Sequence, residues 1–242
     1  MLRSLRCALV LPFVFSLCHA ANPGGVPLSS LTFNGWAGLL SDGYVRLTHN
    51  SSQASSAFVP TPFTLGQNDS FAAEFVYRSQ QEIGQCIADG LAFVVQNSPA
   101  GPNYLGSDGS GLGFFTGTVS PAIGLTFDYY ENAITGTPPN AAAIASPDGT
   151  DLVWTSPNPP ALSGPDAVRY VRVIYHNSSK IMRVYYSATP KPPTTPLLEM
   201  VLPTDLSSLL GGQAYFGVTA GTGSCYSAQV LLYLGLNVVN QQ

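Results

Sequence analysis

Charge is scarce in this chain. Asp, Glu, Lys and Arg together make up 9% of its 242 residues, against about 25% in an average globular domain. A long amphipathic helix needs a charged face, so helical bundles lose weight as an architecture. The balance is also acidic, with nine Lys and Arg against thirteen Asp and Glu and a formal charge of −4. The cationic footprint of a nucleic-acid-binding protein is therefore missing. No apolar run reaches the roughly 18 residues that a transmembrane helix needs. The elbow Gly-x-Ser-x-Gly, the zinc motif His-Glu-x-x-His and a phosphate-binding Gly-rich loop are absent too, and with them the commonest catalytic signatures.

Residues 1–20, "MLRSLRCALVLPFVFSLCHA", place Arg3 and Arg6 before a short apolar run and end in Cys18-His19-Ala20. This is the pattern of a secretory signal peptide cleaved after Ala20. Residues 21–242 are then expected to be one secreted domain with no membrane span. Without the two arginines its formal charge moves from −4 to −6. The four cysteines reduce to Cys86 and Cys225. In an oxidising compartment a lone pair most simply forms one disulfide, with two free thiols as the alternative. Three sequons, at Asn50, Asn68 and Asn177, are expected glycosylation sites if the host is eukaryotic.

What the chain has in quantity is apolar residues (45%), aromatics (11%), 24 Gly and 20 Pro. Short apolar or alternating runs lie between turn signals, as strands do. They cover 43–49, 71–78, 90–96, 122–128, 168–176, 181–187, 214–220 and 230–239, and "HNSSK" (176–180) reads as a hairpin turn. Only "TDLSSLL" (204–210) reads as a helical turn. Stretches 97–121, 132–166 and 188–203 read as long loops. The expected fold is all-β, an antiparallel β-sandwich carrying functional loops at one edge.

The segment "CIADGLAFVVQNSPAGPNYLGSDGSGLGF" (86–114) makes the pattern specific. It resembles the L-type, legume-like lectins, whose fold is a concanavalin A-like jelly roll. "AIGLTFDYYEN", "VRVIYHNSSKIMRVYYSATPKPPTTPLLEMVLPTDLSSLL" and "AYFGVTAGTGSCYSAQVLLYLGL" continue the resemblance in order. It implies glycans or glycoproteins as partners and no catalysis. It implies that Asp89 follows a cis peptide and accepts from two sugar hydroxyls, a task suited to an acceptor-only carboxylate. Ser110 or Gly111 would offer a backbone amide, and Asn132 a side-chain amide. Tyr129 or Tyr130 could stack on a pyranose, core packing being the alternative. Thr222, Gly223, Ser224 and Tyr226 fall in the loop that sets sugar preference, and the resemblance places this Cys225 loop beside Cys86. It also allows a homodimer through flat back sheets.

The resemblance implies a metal loop as well, and here the chain departs from it. Thr126 and Thr137 stand where the family has acids, and its histidine has no counterpart. No transition metal is expected. A single weak calcium on Asp128, the Tyr130 carbonyl and Asn132, helped by Glu131, Asp148 or Asp151, is the one metal left. Some glycoside hydrolases share the sandwich, but their nucleophile would fall at Thr126. An adhesion domain that has lost sugar binding is the other alternative.

Overall fold

The computed structural model describes residues 24–115, 121–130, 141–146, 151–154, 161–191 and 193–239, with 151–154 described as backbone only. The expected signal segment 1–20 and Asn132 lie outside these residues. In chain order the first eight strands are β1 (Gly24–Gly25), β2 (Thr32–Gly35), β3 (Gly38–Leu39), β4 (Val45–Thr48), β5 (Gln53–Phe58), β6 (Phe63–Thr64), β7 (Ser70–Gln81) and β8 (Gly90–Gln96). There follow β9 (Ala122–Asp128), β10 (Ala141–Ala145), β11 (Asp151–Trp154), β12 (Asp166–His176), β13 (Ile181–Ser187), β14 (Leu198–Val201), β15 (Gln213–Thr222) and β16 (Ser227–Val239). All pair antiparallel in two sheets. A back sheet runs β14-β13-β12-β7-β16-β4-β3 with β1 on β16, and a front sheet runs β11-β10-β9-β8-β15-β5-β2 with β6 on β15.

Sequence pattern and sheet position agree. In β12 and β13 buried and half-buried residues alternate, because one face meets the core and the other faces outward. In β8 and β9 every residue is buried. Their inner face meets the back sheet, and their outer face lies under Tyr104, Leu112, Phe114 and Phe115, which pack on Ala92, Val94, Ala122 and Ala145. Between the sheets sits an aromatic core in which Phe75 stacks on Phe93 at 5.5 Å and Phe71 meets Phe216 edge-on at 5.1 Å, geometries that ring quadrupoles favour. Burying each such side chain contributes about 1.5–3 kcal/mol.

The expected helical turn is α1 (Leu206–Leu210). The Asp205 carboxylate caps it by accepting from Ser208 N–H at 2.8 Å, and Gly211 closes it at φ 68°. Such a cap contributes about 1 kcal/mol. The "HNSSK" turn joins β12 to β13 as a hairpin.

Two expectations need correction. The stretches read as long loops hold strands: β10 and β11 fall within 132–166, and β14 within 188–203. The sequon at Asn177 is no surface site, for Asn177 is 2% exposed. Its Nδ2 donates to the carbonyls of Gly66 and Gln67, and its Oδ1 accepts from Tyr175 Oη at 2.6 Å. A glycan there would displace bonds that lock the β12–β13 turn to the β6–β7 connection. Asn50 and Asn68 are exposed.

Candidate functional site

Three segments meet where β8 begins. The Ala88–Asp89 peptide is cis, as the resemblance implied. Asp89 N–H donates to Gly221 O at 3.1 Å, and Asp89 O accepts from Tyr129 N–H at 2.7 Å. The residue is thus stitched between β15 and the end of β9. Gly90 follows at φ 154°, and a Cβ there would lie 2.1 Å from Phe127 O, so only glycine fits between these strands.

The second segment is the Gly-rich loop. Its turn at Gly109–Gly111 is anchored from behind by Phe114 and Phe115 in the outer cluster, and Thr219 Oγ1 donates to Leu112 O at 2.8 Å. A Cβ on Gly221 would come within 2.6 Å of Gly109 O, so glycine lets loop and strand touch. Gly111 N–H already donates to Asp108 O at 2.9 Å. Of the two amides expected to face a sugar, Gly111 is committed to its own turn. Ser110, half-buried on the same turn, is the one that remains.

The third segment, 222–226, contains three different environments. Thr222 is fully buried; its Oγ1 donates to Asn50 O at 2.6 Å and accepts from Gln53 N–H at 3.1 Å. Its hydroxyl therefore holds the loop to the β4–β5 turn and does not face a ligand, which corrects the expectation for Thr222. Gly223 lies against Asp89, since a Cβ on it would be 3.3 Å from Oδ2. Its carbonyl accepts from Ser52 N–H at 2.9 Å. Ser224 is exposed and Tyr226 half-buried, so both can meet a bound molecule. Cys225 is bonded to Cys86, with Cα atoms 5.2 Å apart. That bridge ties the third segment to the approach to Asp89.

Asp89 is 5% exposed, and its Oδ2 has no hydrogen-bond partner among the described residues. Burial pushes its carboxyl up to about 6, the Gly223 N–H opposes the rise, and the nearby Asp108 charge adds to it. A buried acceptor without a donor is uncommon in folded proteins, and here it lies where three loops converge. The sequence signals missed the supporting parts: Asp108, and the Asn50–Gln53 turn that braces Thr222 and Gly223.

The neighbouring strand end differs from what the metal-loop resemblance allowed. Asp128 is 1% exposed, and its Oδ1 accepts from Tyr130 N–H at 3.1 Å. Thr126, 2% exposed, donates to Ala143 O at 3.4 Å; it completes the ladder beside β10 and supplies no carboxylate. Tyr129 is core, stacked on Tyr77 at 6.5 Å, whereas Tyr130 is 43% exposed and available as a platform. Among the described residues no three His, Cys, Asp or Glu gather. Calcium takes six to eight oxygens, so the described donors alone do not fit it. Asn132, Glu131 and Asp148 lie outside the described residues. No helix among the described residues is long and apolar enough to cross a membrane.

Known proteins share this fold. The model of the legume lectin domain matches residues 25–239. Among solved structures, the lectin from Bauhinia forficata in complex with GalNAc is similar at 20% identity and TM-score 0.75, over 90% of this chain and 98% of that one. Lectin I-B4 from Griffonia simplicifolia, in a metal-free form, is similar at 21% identity and TM-score 0.71, over 88% and 94%. Basic winged bean lectin with Tn-antigen is similar at 17% identity and TM-score 0.73, over 90% and 96%. With a family model spanning both sheets and all three loops of the Asp89 edge, this chain belongs to the legume lectin domain family.

Proposed function

We propose that the chain is a secreted lectin that binds glycans at the Asp89 edge and carries out no catalysis. The observation that carries this reading is Asp89 itself, a shielded carboxylate whose Oδ2 has no hydrogen-bond partner among the described residues. Vicinal sugar hydroxyls supply such donors, and charge-assisted bonds of this kind contribute about 1.5–3 kcal/mol. Ser110 N–H donates to the same sugar, Gly223 lets it approach the carboxylate, and Ser224, Tyr226 and Tyr130 shape its surroundings. Asn132 adds a side-chain amide. Galactose and N-acetylgalactosamine are the first probes, because structural neighbours are complexes with GalNAc and galactose. The disulfide fits the oxidising compartment that the leader implies. Glycans at Asn50 and Asn68 complete the secreted form. Hydrolysis is disfavoured because the position of the nucleophile is the buried Thr126, which has no carboxylate.

The test is binding to immobilised glycans as a function of pH. Binding needs the ionised carboxylate, so affinity is full at pH 8 and falls about tenfold by pH 5, as Asp89 protonates through about 6. Stability moves the other way. Because the folded carboxyl lies above its ordinary value, the folded chain holds more protons than the unfolded one between roughly pH 4 and 6. This group therefore stabilises the fold as pH drops, and loss of binding with an unchanged or higher melting temperature separates titration from unfolding. Affinity that is flat across this range contradicts the role given to Asp89.

Calcium, on this reading, is at most a weak ligand of Asp128, Tyr130 and Asn132. With a dissociation constant of about 10⁻⁴ M, 2 mM calcium stabilises by about 2 kcal/mol at most. Melting curves in EDTA and in calcium are expected to differ by no more than that amount. Stoichiometric manganese or zinc, or calcium surviving dialysis against EDTA, would contradict it.

A further inference from the structure

The outer face of the back sheet holds a cleft of about 450 Å³, lined by residues of β7, β12, β13 and β16 and by Pro190 and Pro193 from the connection after β13. Register explains why these side chains share it. Tyr170 lies opposite Val76 and Ser187, Arg172 lies opposite Glu74 and Tyr185, and Tyr233 lies opposite Val76. Their neighbours Phe75, Val171, Val173 and Tyr186 point into the core, so these residues point outward. The floor is the pair Arg172 and Glu74, with Nε 3.4 Å from Oε1. One wall is Tyr185 with the two prolines. The other is Tyr233, whose ring lies over Gly235, since a Cβ there would sit 2.5 Å from Tyr233 Oη.

We propose that this cleft is a second saccharide-binding site, which makes one domain bivalent. Arg172 Nε faces Glu74, while Nη2 is shielded from solvent and has no hydrogen-bond partner among the described residues. A shielded donor in that position gains a bond when a ligand oxygen reaches it. An arginine and a carboxylate side by side suit vicinal hydroxyls, because one donates and the other accepts. Together they are neutral, which favours an uncharged saccharide over a free anion. Tyrosine and proline walls supply flat apolar surface for pyranose faces. The walls stand on β13 and β16, three strand spacings or about 14 Å apart, and the volume falls in the range of about 300–1,000 Å³ common to small-ligand sites.

The cleft is separate from the Asp89 edge. Gln81, at the end of β7 nearest that edge, pairs with Ser227 just beyond Cys225. Glu74 lies seven residues further down the strand, or about 23 Å. A glycan of one or two rings cannot fill both, so a monomer with two occupied sites cross-links glycans.

The experiment probes one panel of immobilised neutral oligosaccharides with four proteins: wild type, Asp89→Asn, Tyr185→Ser and the double variant, each first shown to melt cooperatively. Asp89→Asn is expected to retain a subset of saccharides, and the double variant to lose that subset by tenfold or more. Arg172→Lys, which keeps charge and stem but not the planar fork, is expected to weaken the same subset and no other. The proposal is overturned if Asp89→Asn retains nothing, or if what it retains ignores Tyr185 and Arg172. It is also overturned if sedimentation shows a dimer that Tyr185→Ser dissolves, with nothing retained, for then a second copy owns this face. Failure of the Asp89 reading would show differently, as Asp89→Asn losing none of the saccharides that wild type binds.

Discussion

Reducing the Cys86–Cys225 bridge is expected to lower the melting temperature by about 10–20 °C and to abolish binding at the Asp89 edge. The bridge spans a sequence separation of 139 residues. In the chain-entropy model a loop of that size restricts the unfolded chain by about 5 kcal/mol, and for a domain of this length each kcal/mol moves the transition by about 2–4 °C. The functional loss has a local cause. Cys86 lies three residues before Asp89, and Cys225 lies between Ser224 and Tyr226, so the bridge joins the carboxylate to the loop beside it. Cys86→Ala with Cys225→Ala gives the same measurement without reductant. A double variant that keeps parental melting and affinity would show that packing alone holds the loops.

Asp89→Asn is expected to cut glycan affinity at this edge by about 10- to 100-fold, equivalent to the 1.5–3 kcal/mol of a charge-assisted bond, while leaving the fold intact. Above pH 7 its melting temperature is expected to equal or exceed the parent's. Burial holds the parental carboxyl up at about 6, so the ionised form is disfavoured inside the protein and an uncharged amide removes that cost. A residue placed for stability would give the opposite pattern, lower melting with unchanged binding. Calorimetric titration and scanning calorimetry on the same samples separate the two.

Much of the architecture is legible in the sequence because the strands that span the core announce their burial. Gly90–Gln96, Ala122–Asp128 and Ile181–Ser187 coincide with the runs read from periodicity, since continuous apolar or alternating side chains are what a two-layer sheet requires. Strands built of small residues are silent. In β5, "QASSAF", Ser55 and Ser56 are fully buried with their hydroxyls bonded to Leu47 O and Tyr104 O. In β10, "AAAIA", four alanines fit under neighbouring layers and Ile144 is the one β-branched residue. Such strands are specified by what packs on them, and that information is distant in sequence.

The candidate edge divides in the same way. The Ala88-Asp89-Gly90 step and the two cysteines are local signals: the Ala88–Asp89 peptide is cis and Cys86 is bonded to Cys225. Thr222 and Asn177 did not, because a hydroxyl in a loop or an amide in a sequon carries no mark of being buried. Each is used inside the protein, Thr222 by Asn50 and Gln53 and Asn177 by Gly66, Gln67 and Tyr175. Ser110 and Gly111 stood equal in sequence until the turn geometry committed one amide to Asp108.

The most direct measurement is a glycan array run at pH 8 in EDTA with wild type and Asp89→Asn, with free galactose and N-acetylgalactosamine as competitors. A lectin working through Asp89 without a resident transition metal binds at least one class of glycan under these conditions. It loses that class in Asp89→Asn and releases it to a free monosaccharide. No class of glycan lost in Asp89→Asn, or no glycan bound by wild type with or without calcium, would contradict the assignment.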